Sequence, residues 1–144
     1  MPTALNDYPV VTHSTLRYAD TDRQGHVNSA VFSVFLEVGR SEILYDPEKP
    51  LADPGTEFVI AQMTLNFIAE INWPGKVAIG TRVAAVGKSS FRFEQAVFQN
   101  EKCVATADTA IVLIDQKIRR STQLSVGMVQ RLQKMMTVQS ETGQ

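Results

Sequence analysis

Two aspartates close together in the chain, Asp20 and Asp22, are the side chains best suited to chemistry in this sequence. They precede an apolar stretch that starts at Ser29, and Gly25 lies between. A carboxylate can attack an acyl carbon or remove a proton from water. If a helix begins at Ser29, its unpaired N–H groups can polarise a carbonyl group, and Gly25 lets the backbone approach a substrate closely. Together these groups suit hydrolysis of an acyl compound.

A simpler interpretation of the same segment is structural. Aspartates are common in turns, where the carboxylate accepts hydrogen bonds from nearby backbone N–H groups. Asp20 and Asp22 would then be turn and capping residues, and His26 would pack where the helix begins. Residue types and spacing alone favour this structural interpretation over catalysis.

Residues 29–45 are predicted to form the helix that positions this segment. The stretch contains no proline, and its apolar residues cover most of the helical circumference. A helix of that kind is buried on most sides. Asn28 or Ser29 can cap its N-terminus, and the helix should end before Pro47.

Strand patterns account for most of the remaining chain. Five stretches are rich in β-branched residues or alternate between apolar and polar, namely residues 10–19, 57–68, 76–86, 90–99 and 103–114. A short helix is predicted over residues 125–136, and residues 137–144 are predicted to be frayed. Because the last four strands follow one another with short connections, an antiparallel sheet and an α+β fold are expected.

Length and composition predict one globular domain. The chain has 144 residues, 44% hydrophobic and 20% charged, with a net charge of -1. We expect a single domain over residues 1–144 with an ordered core at 8–136. The charge offers no basic footprint for nucleic acid, and no apolar run approaches the roughly 20 residues of a membrane span. With no signal-like start and one cysteine, Cys103, a cytoplasmic protein is expected.

Two motifs carry a resemblance to a known family. They are Arg17-Tyr18-Ala19-Asp20-Thr21-Asp22-x-x-Gly25-His26-Val27-Asn28-Ser29-x-x-Phe32 and Phe35-Leu36-Glu37-x-x-Arg40. This pattern resembles the opening of the 4-hydroxybenzoyl-CoA thioesterase-like branch of hot-dog proteins, which are usually acyl-CoA thioesterases. The resemblance implies an antiparallel sheet of five to six strands wrapped around one long central helix, plus a short C-terminal helix.

The resemblance also assigns roles within the first motif. Asp22, three residues before the glycine, would be the nucleophile or general base, and Asp20 would be structural. The backbone N–H of Ser29 would polarise the thioester carbonyl, with Asn28 beside it. Gly25 and His26 complete the candidate catalytic site, although a chemical role for His26 is not implied across the family.

A second implied contact concerns the substrate's coenzyme A. The turn Gly87-Lys88-Ser89-Ser90 resembles a stretch that contacts CoA in the family, and Lys88 could pair with a phosphate. An ordinary solvated hairpin lysine is an equal alternative. The CoA thioester is itself the substrate, so no cofactor is expected. No histidine pair with metal spacing occurs, so no metal is expected either.

Other polar residues have structural interpretations. Glu37 is expected to pair with Arg17 or Arg40, or to bond backbone, since buried carboxylates are nearly always paired. Asp108 lies within a predicted strand and should face solvent or a subunit interface. Cys103 is expected to be a small core residue.

Alternative functions remain open on the same fold. They are a non-catalytic acyl-CoA binding module, a hydratase or dehydratase, and a thioesterase acting on acyl-carrier-protein thioesters. In each case a homodimer or homotetramer with sites at the subunit interface is implied by the resemblance. A further reason is that the strand at residues 103–114 would otherwise be an exposed edge.

Overall fold

A computed structural model describes residues 4–138. It contains one antiparallel sheet of five strands in the order β1-β3-β4-β5-β2. Two α-helices and two short 3₁₀ turns accompany the sheet. The elements are β1 (Val10–Thr15), α1 (Ser29–Leu44), β2 (Thr56–Phe67), β3 (Lys76–Val86), β4 (Ser90–Gln99), β5 (Lys102–Asp115) and α2 (Val126–Gln133).

Most of the predicted elements are confirmed to within a few residues. The two-residue connection between β4 and β5 is a tight turn, because Asn100 and Glu101 have φ angles of 51° and 67°, as a type I′ hairpin requires. The α+β class with an antiparallel sheet is therefore correct and consistent with the expected hot-dog fold. That the sheet wraps around the helix, and that residues 1–144 form a single domain, stay predictions.

The first strand is shorter than predicted. It ends at Thr15 rather than at residue 19, because a single 3₁₀ turn, Tyr18–Asp20, follows it. The Arg17 N–H donates to the Asp20 carboxylate at 2.9 Å instead of to a neighbouring strand. A side-chain acceptor close in sequence has replaced the ladder partner, and Tyr18 is consequently 74% exposed.

The exposed edge of the sheet is also not the predicted one. The predicted strand at residues 103–114 corresponds to β5, which lies between β4 and β2 and is hydrogen-bonded on both sides. The sheet's free edges are β1 and β2. Hydropathy alone misplaced this edge because strand order depends on pairing between distant segments.

Helix α1 is buried along one stripe rather than on most sides. Its buried residues recur at helical spacing and are Phe32, Phe35, Leu36, Gly39, Arg40, Ile43 and Leu44. Val34, on another face, is 46% exposed. The prediction of a helix covered on most sides is therefore wrong for one protomer.

A buried glutamine joins α1 to the sheet. Gln95 of β4 donates through Nε2 to the Leu36 carbonyl oxygen and to Thr81 Oγ1, both at 3.0 Å. Close packing at Gly39 accompanies this contact, since a Cβ there would lie 2.8 Å from Ile79 Cγ2. The sheet thus holds the middle of α1 rigidly, and the helix start is positioned from there.

The C-terminal helix covers the far end of the core. Ser125 caps α2 by accepting from the Met128 N–H at 3.2 Å, and Met128 and Leu132 are buried. The helix ends at Gln133, three residues before the predicted end at 136. The prediction of a frayed segment at residues 137–144 falls largely on residues 139–144, outside the described residues.

Candidate active site

The loop before α1 closes on itself. The Asp22 N–H donates to the His26 carbonyl oxygen at 2.8 Å, and the Gly25 N–H donates to the Asp22 carbonyl oxygen at 3.2 Å. Gly25 has a φ of 81°, a conformation that favours glycine. The glycine of the motif is therefore needed for the turn geometry, which brings Asp22 and His26 side by side.

One oxygen of the Asp22 carboxylate accepts hydrogen bonds from the loop backbone. Its Oδ1 accepts from the Gln24 N–H at 2.8 Å and from the His26 N–H at 3.3 Å. Its Oδ2 has no hydrogen-bond donor among residues 4–138, and the residue is exposed. The turn interpretation and the catalytic interpretation are thus compatible, because the first uses one oxygen and leaves the second open.

The start of α1 presents one free donor. Asn28 caps the helix, with Oδ1 accepting from the Ala30 N–H at 2.9 Å, and its carbonyl oxygen accepts from the Val31 N–H at 2.9 Å. Within the described chain no group accepts from the Ser29 N–H. Because the helix start also carries a partial positive charge, this N–H is suited to hold a developing oxyanion.

These groups meet at a pocket of about 490 Å³. Asp22, His26, Asn28 and Ser29 all line it, whereas Gly25 does not. Its apolar wall consists of Val27, Phe32, Phe67, Ile68 and Ala69. The pocket therefore combines an open carboxylate, a free N–H donor and an apolar surface that suits an acyl group.

Sequence reasoning missed Glu70, which also lines the pocket. Its Oε2 lies 3.1 Å from His26 Nε2. Glu70 follows β2 and is distant from the motif in sequence, so no local signal could have linked the two residues. The contact gives the His26 ring a defined orientation at the pocket rim.

Asp20 has a different environment although it is two residues from Asp22. It is 2% exposed and accepts from Arg17 through Nη2 at 2.7 Å and Nε at 3.1 Å. These hydrogen bonds hold the pKa of the Asp20 carboxyl below its ordinary value. Asp20 thus stabilises the chain before the pocket and does not line it.

The predicted CoA-contacting turn lies apart from this pocket. Lys88 and Ser89 lie between β3 and β4, Ser90 is the first residue of β4, and none of the three lines the pocket. Lys88 is exposed. The turn's backbone is held by the Leu113 N–H, which donates to the Ser89 carbonyl oxygen at 2.9 Å. Within one protomer the structure does not bring the two predicted sites together.

The residues given structural interpretations have mixed outcomes. Glu37 forms no ion pair and no hydrogen bond with the described residues; its exposed side chain lines a pocket together with Arg40, one of its expected partners. Asp108 pairs with Arg92 of the neighbouring strand. Cys103 is half-buried, and burial raises the pKa of its thiol, as expected of a small core residue.

Residues 4–138 contain neither a cluster of metal ligands nor a membrane-spanning helix. No group of three or more His, Cys, Asp or Glu side chains is placed to hold a metal ion. No helix in that range is long and apolar enough to cross a membrane.

Comparison with known proteins identifies the family. The sequence model of the thioesterase-like superfamily matches residues 16–132. The chain belongs to the thioesterase-like superfamily. The expected enzyme class, a thioester hydrolase, is confirmed at this level. No curated protein matches the chain.

Solved structures agree with this assignment. A probable thioesterase from Bartonella henselae is 29% identical with a TM-score of 0.72, covering 80% of this chain and 98% of that one. A thioesterase from Thermus thermophilus, solved with coenzyme A and zinc, is 27% identical with a TM-score of 0.76 and coverages of 90% and 95%. The PA5185 protein of Pseudomonas aeruginosa PAO1 is 19% identical with a TM-score of 0.84 and coverages of 95% and 99%, which shows the fold alone.

Proposed function

We propose that this protein hydrolyses an acyl-CoA thioester to the free acid and CoA. The observation that carries the proposal is the pocket at the start of α1, where the open Asp22 oxygen and the unpaired Ser29 N–H lie beside an apolar wall. Membership of the thioesterase-like superfamily supports hydrolysis, and the Thermus thermophilus neighbour solved with coenzyme A supports CoA as the carrier.

Asp22 and Ser29 have complementary roles in the reaction. In the general-base route, Asp22 takes a proton from water as the water oxygen bonds to the thioester carbon. The carbonyl oxygen gains the electron pair and accepts from the Ser29 N–H. The carbon–sulfur bond then breaks, and sulfur leaves as a thiolate that takes up a proton. In the nucleophilic route the Asp22 carboxylate bonds to the carbon first, and the carbon–sulfur bond breaks to release the CoA thiolate and leave an anhydride. Water then cleaves the anhydride, which releases the free acid and restores the Asp22 carboxylate.

The assembly that we propose is a homodimer, alone or within a tetramer, formed along β2. This strand is a free edge of the sheet, and Ile60 and Phe67 on it are 51% and 55% exposed. Long apolar edges are normally paired or covered. Because β2 leads into Ile68, Ala69 and Glu70 of the pocket, a second copy paired there would adjoin the active site and could bring its Lys88 turn to it. Light scattering of the full chain measures the oligomeric state directly.

The function is tested with Asp22→Asn and a panel of acyl-CoA thioesters, followed by thiol release. Asparagine keeps the Oδ1 acceptor for the Gln24 and His26 N–H groups, so the loop is retained while the basic oxygen is lost. We expect kcat to fall by roughly 10²- to 10⁴-fold. The matched control is Asp46→Asn, since Asp46 makes the same kind of turn, with Oδ1 accepting from the Glu48 N–H at 2.9 Å.

Three results would redirect the proposal. Full activity in Asp22→Asn would exclude Asp22 as base and nucleophile. Saturable acyl-CoA binding without turnover for any chain length would indicate a binding module. Faster turnover of carrier-protein thioesters than of CoA thioesters with the same acyl chain would replace CoA by the carrier protein.

A further inference from the structure

One nitrogen of the His26 ring faces a carboxylate. Its Nε2 lies 3.1 Å from Glu70 Oε2, and both residues line the pocket at the start of α1. An ionised carboxylate only accepts hydrogen bonds, so its position beside Nε2 favours the neutral form of the ring that carries its proton there. Nδ1 then carries the lone pair, and among residues 4–138 no group forms a hydrogen bond with it. Glu70 therefore prepares His26 to take up a proton at Nδ1.

The backbone on both sides of this contact is held by segments distant in sequence. His26 pairs with Asn72 as an isolated antiparallel bridge, and Ile71, between Glu70 and Asn72, is fully buried. The Gln99 side chain of β4 accepts from the Asn72 N–H at 3.0 Å and donates to the Asn72 carbonyl oxygen at 2.7 Å. These contacts hold Glu70 beside the His26 ring although the Glu70 side chain is 67% exposed.

The nucleophilic route of the proposed reaction needs a second base. Once the Asp22 carboxylate has bonded to the acyl carbon, it is part of the anhydride and cannot take a proton from the water that cleaves it. Two other titratable side chains line the same pocket, namely His26 and Glu70. An imidazole is ordinarily a stronger base than a carboxylate. A neighbouring carboxylate also stabilises the imidazolium that forms.

We propose that His26 takes the proton from this water and that Glu70 is a positioning residue that acts through His26. The inference rests on the proposed hydrolysis and selects its nucleophilic route. As the water oxygen bonds to the acyl carbon, one water proton moves to Nδ1, and the bond from that carbon to the Asp22 oxygen breaks. The free acid leaves with the other water proton, the Asp22 carboxylate is restored, and the imidazolium returns its proton to solvent.

The primary test follows thiol release in His26→Gln and Glu70→Gln by stopped flow, with the acyl-CoA that the wild type hydrolyses fastest. We expect kcat to fall roughly 10²-fold in His26→Gln and roughly tenfold in Glu70→Gln. Because only cleavage of the anhydride is slowed, KM should fall with kcat and kcat/KM should be retained. Both variants should release a burst of CoA approaching one molecule per active site before the slow phase.

Matched controls repeat the same changes away from the pocket. His13→Gln and Glu48→Gln alter exposed residues that do not line it, and both should keep the wild-type kcat without a burst. A wild-type kcat in Glu70→Gln would overturn the positioning role. A lower kcat in His26→Gln without a burst of CoA would place the loss before the anhydride and overturn His26 as the base.

A double-mutant cycle tests whether Glu70 acts through His26. Glu70→Gln should lower kcat in the wild-type background and change it by no more than about twofold in the His26→Gln background. Equal losses in the two backgrounds would show that Glu70 acts independently, as a base of its own would. Urea denaturation of Glu70→Gln should give the wild-type midpoint, since its exposed side chain adds little to stability.

Failure of this inference differs from failure of the proposed function. If the wild type hydrolyses acyl-CoA and Asp22→Asn does not, while His26→Gln and Glu70→Gln keep the wild-type kcat, hydrolysis stands and the second base is excluded. No turnover of any acyl-CoA by the wild type would remove the proposed hydrolysis and this inference together.

Discussion

The start of α1 and its middle differ in how their polar groups are satisfied. At its start, the Ser29 N–H and one Asp22 oxygen have no partner among the described residues and face an open pocket. In its middle, Gln95 Nε2 donates both to the Leu36 carbonyl oxygen and to Thr81 Oγ1. The Gln95 contacts hold the middle of the helix in place. The Ser29 N–H and the Asp22 oxygen at the start can therefore remain without protein partners.

This contrast predicts a separation of effects. Changes at the open end should alter catalysis with little loss of stability, because few contacts are removed there. Changes in the packed middle should alter stability first, because an added or removed atom meets packed neighbours there.

Among changes within α1, Ser29→Pro should have the strongest effect, and that effect is on catalysis. Proline is tolerated at the first helical position and lacks the N–H, and Asn28 already has the φ of -59° and ψ of 137° that suit a residue before proline. Loss of one oxyanion donor should lower kcat by roughly 10²- to 10³-fold. Ser29→Ala keeps the N–H and should retain activity. Equal kcat values in the two variants would remove the Ser29 N–H from the mechanism.

The next effect is on stability, from Gly39→Ala in the packed middle of α1. The new Cβ would lie 2.8 Å from Ile79 Cγ2 and 2.9 Å from Gln95 Nε2. Forcing these groups apart should lower the free energy of unfolding by about 1–3 kcal/mol, measured by urea denaturation. The control Gly127→Ala, in α2, meets nothing within 4 Å and should be neutral or more stable by up to about 1 kcal/mol. A Gly39→Ala protein as stable as this control would contradict the close packing.

The smallest effect concerns Asp20, which is buried and paired with Arg17 although it lies two residues from the exposed Asp22. Arg17 holds its pKa below the ordinary value, so the folded state favours the carboxylate. The resulting stability is present above the unfolded pKa of roughly 4 and is lost as pH falls through the lower folded pKa. Unfolding free energy should therefore fall more steeply below about pH 4 in the wild type than in Asp20→Asn. Parallel pH profiles for the wild type and Asp20→Asn would show that the Arg17 contact does not contribute to stability.

Much of the fold follows from local patterns. The alternation over Lys76–Val86 and Ser90–Gln99 predicted both strands with their observed bounds, because side-chain parity in a strand is a property of neighbouring residues. The predicted end of β1 was wrong because alternation does not reveal a competing hydrogen bond. The Arg17 N–H donates to the Asp20 carboxylate instead of to the sheet. The order of strands depends on distant pairing, which is why β5 was mistaken for an edge.

Local sequence patterns predicted the α+β class and the helix that starts at Ser29, and the family resemblance selected Asp22 from two candidate carboxylates. The burial of Asp20 and the contact between Glu70 and His26 became visible only in the folded chain. The two kinds of feature differ in how far apart in the chain the interacting residues lie. Turns, caps and periodicity depend on residues a few positions apart, whereas burial and counter-charges depend on segments that meet only when the sheet is assembled.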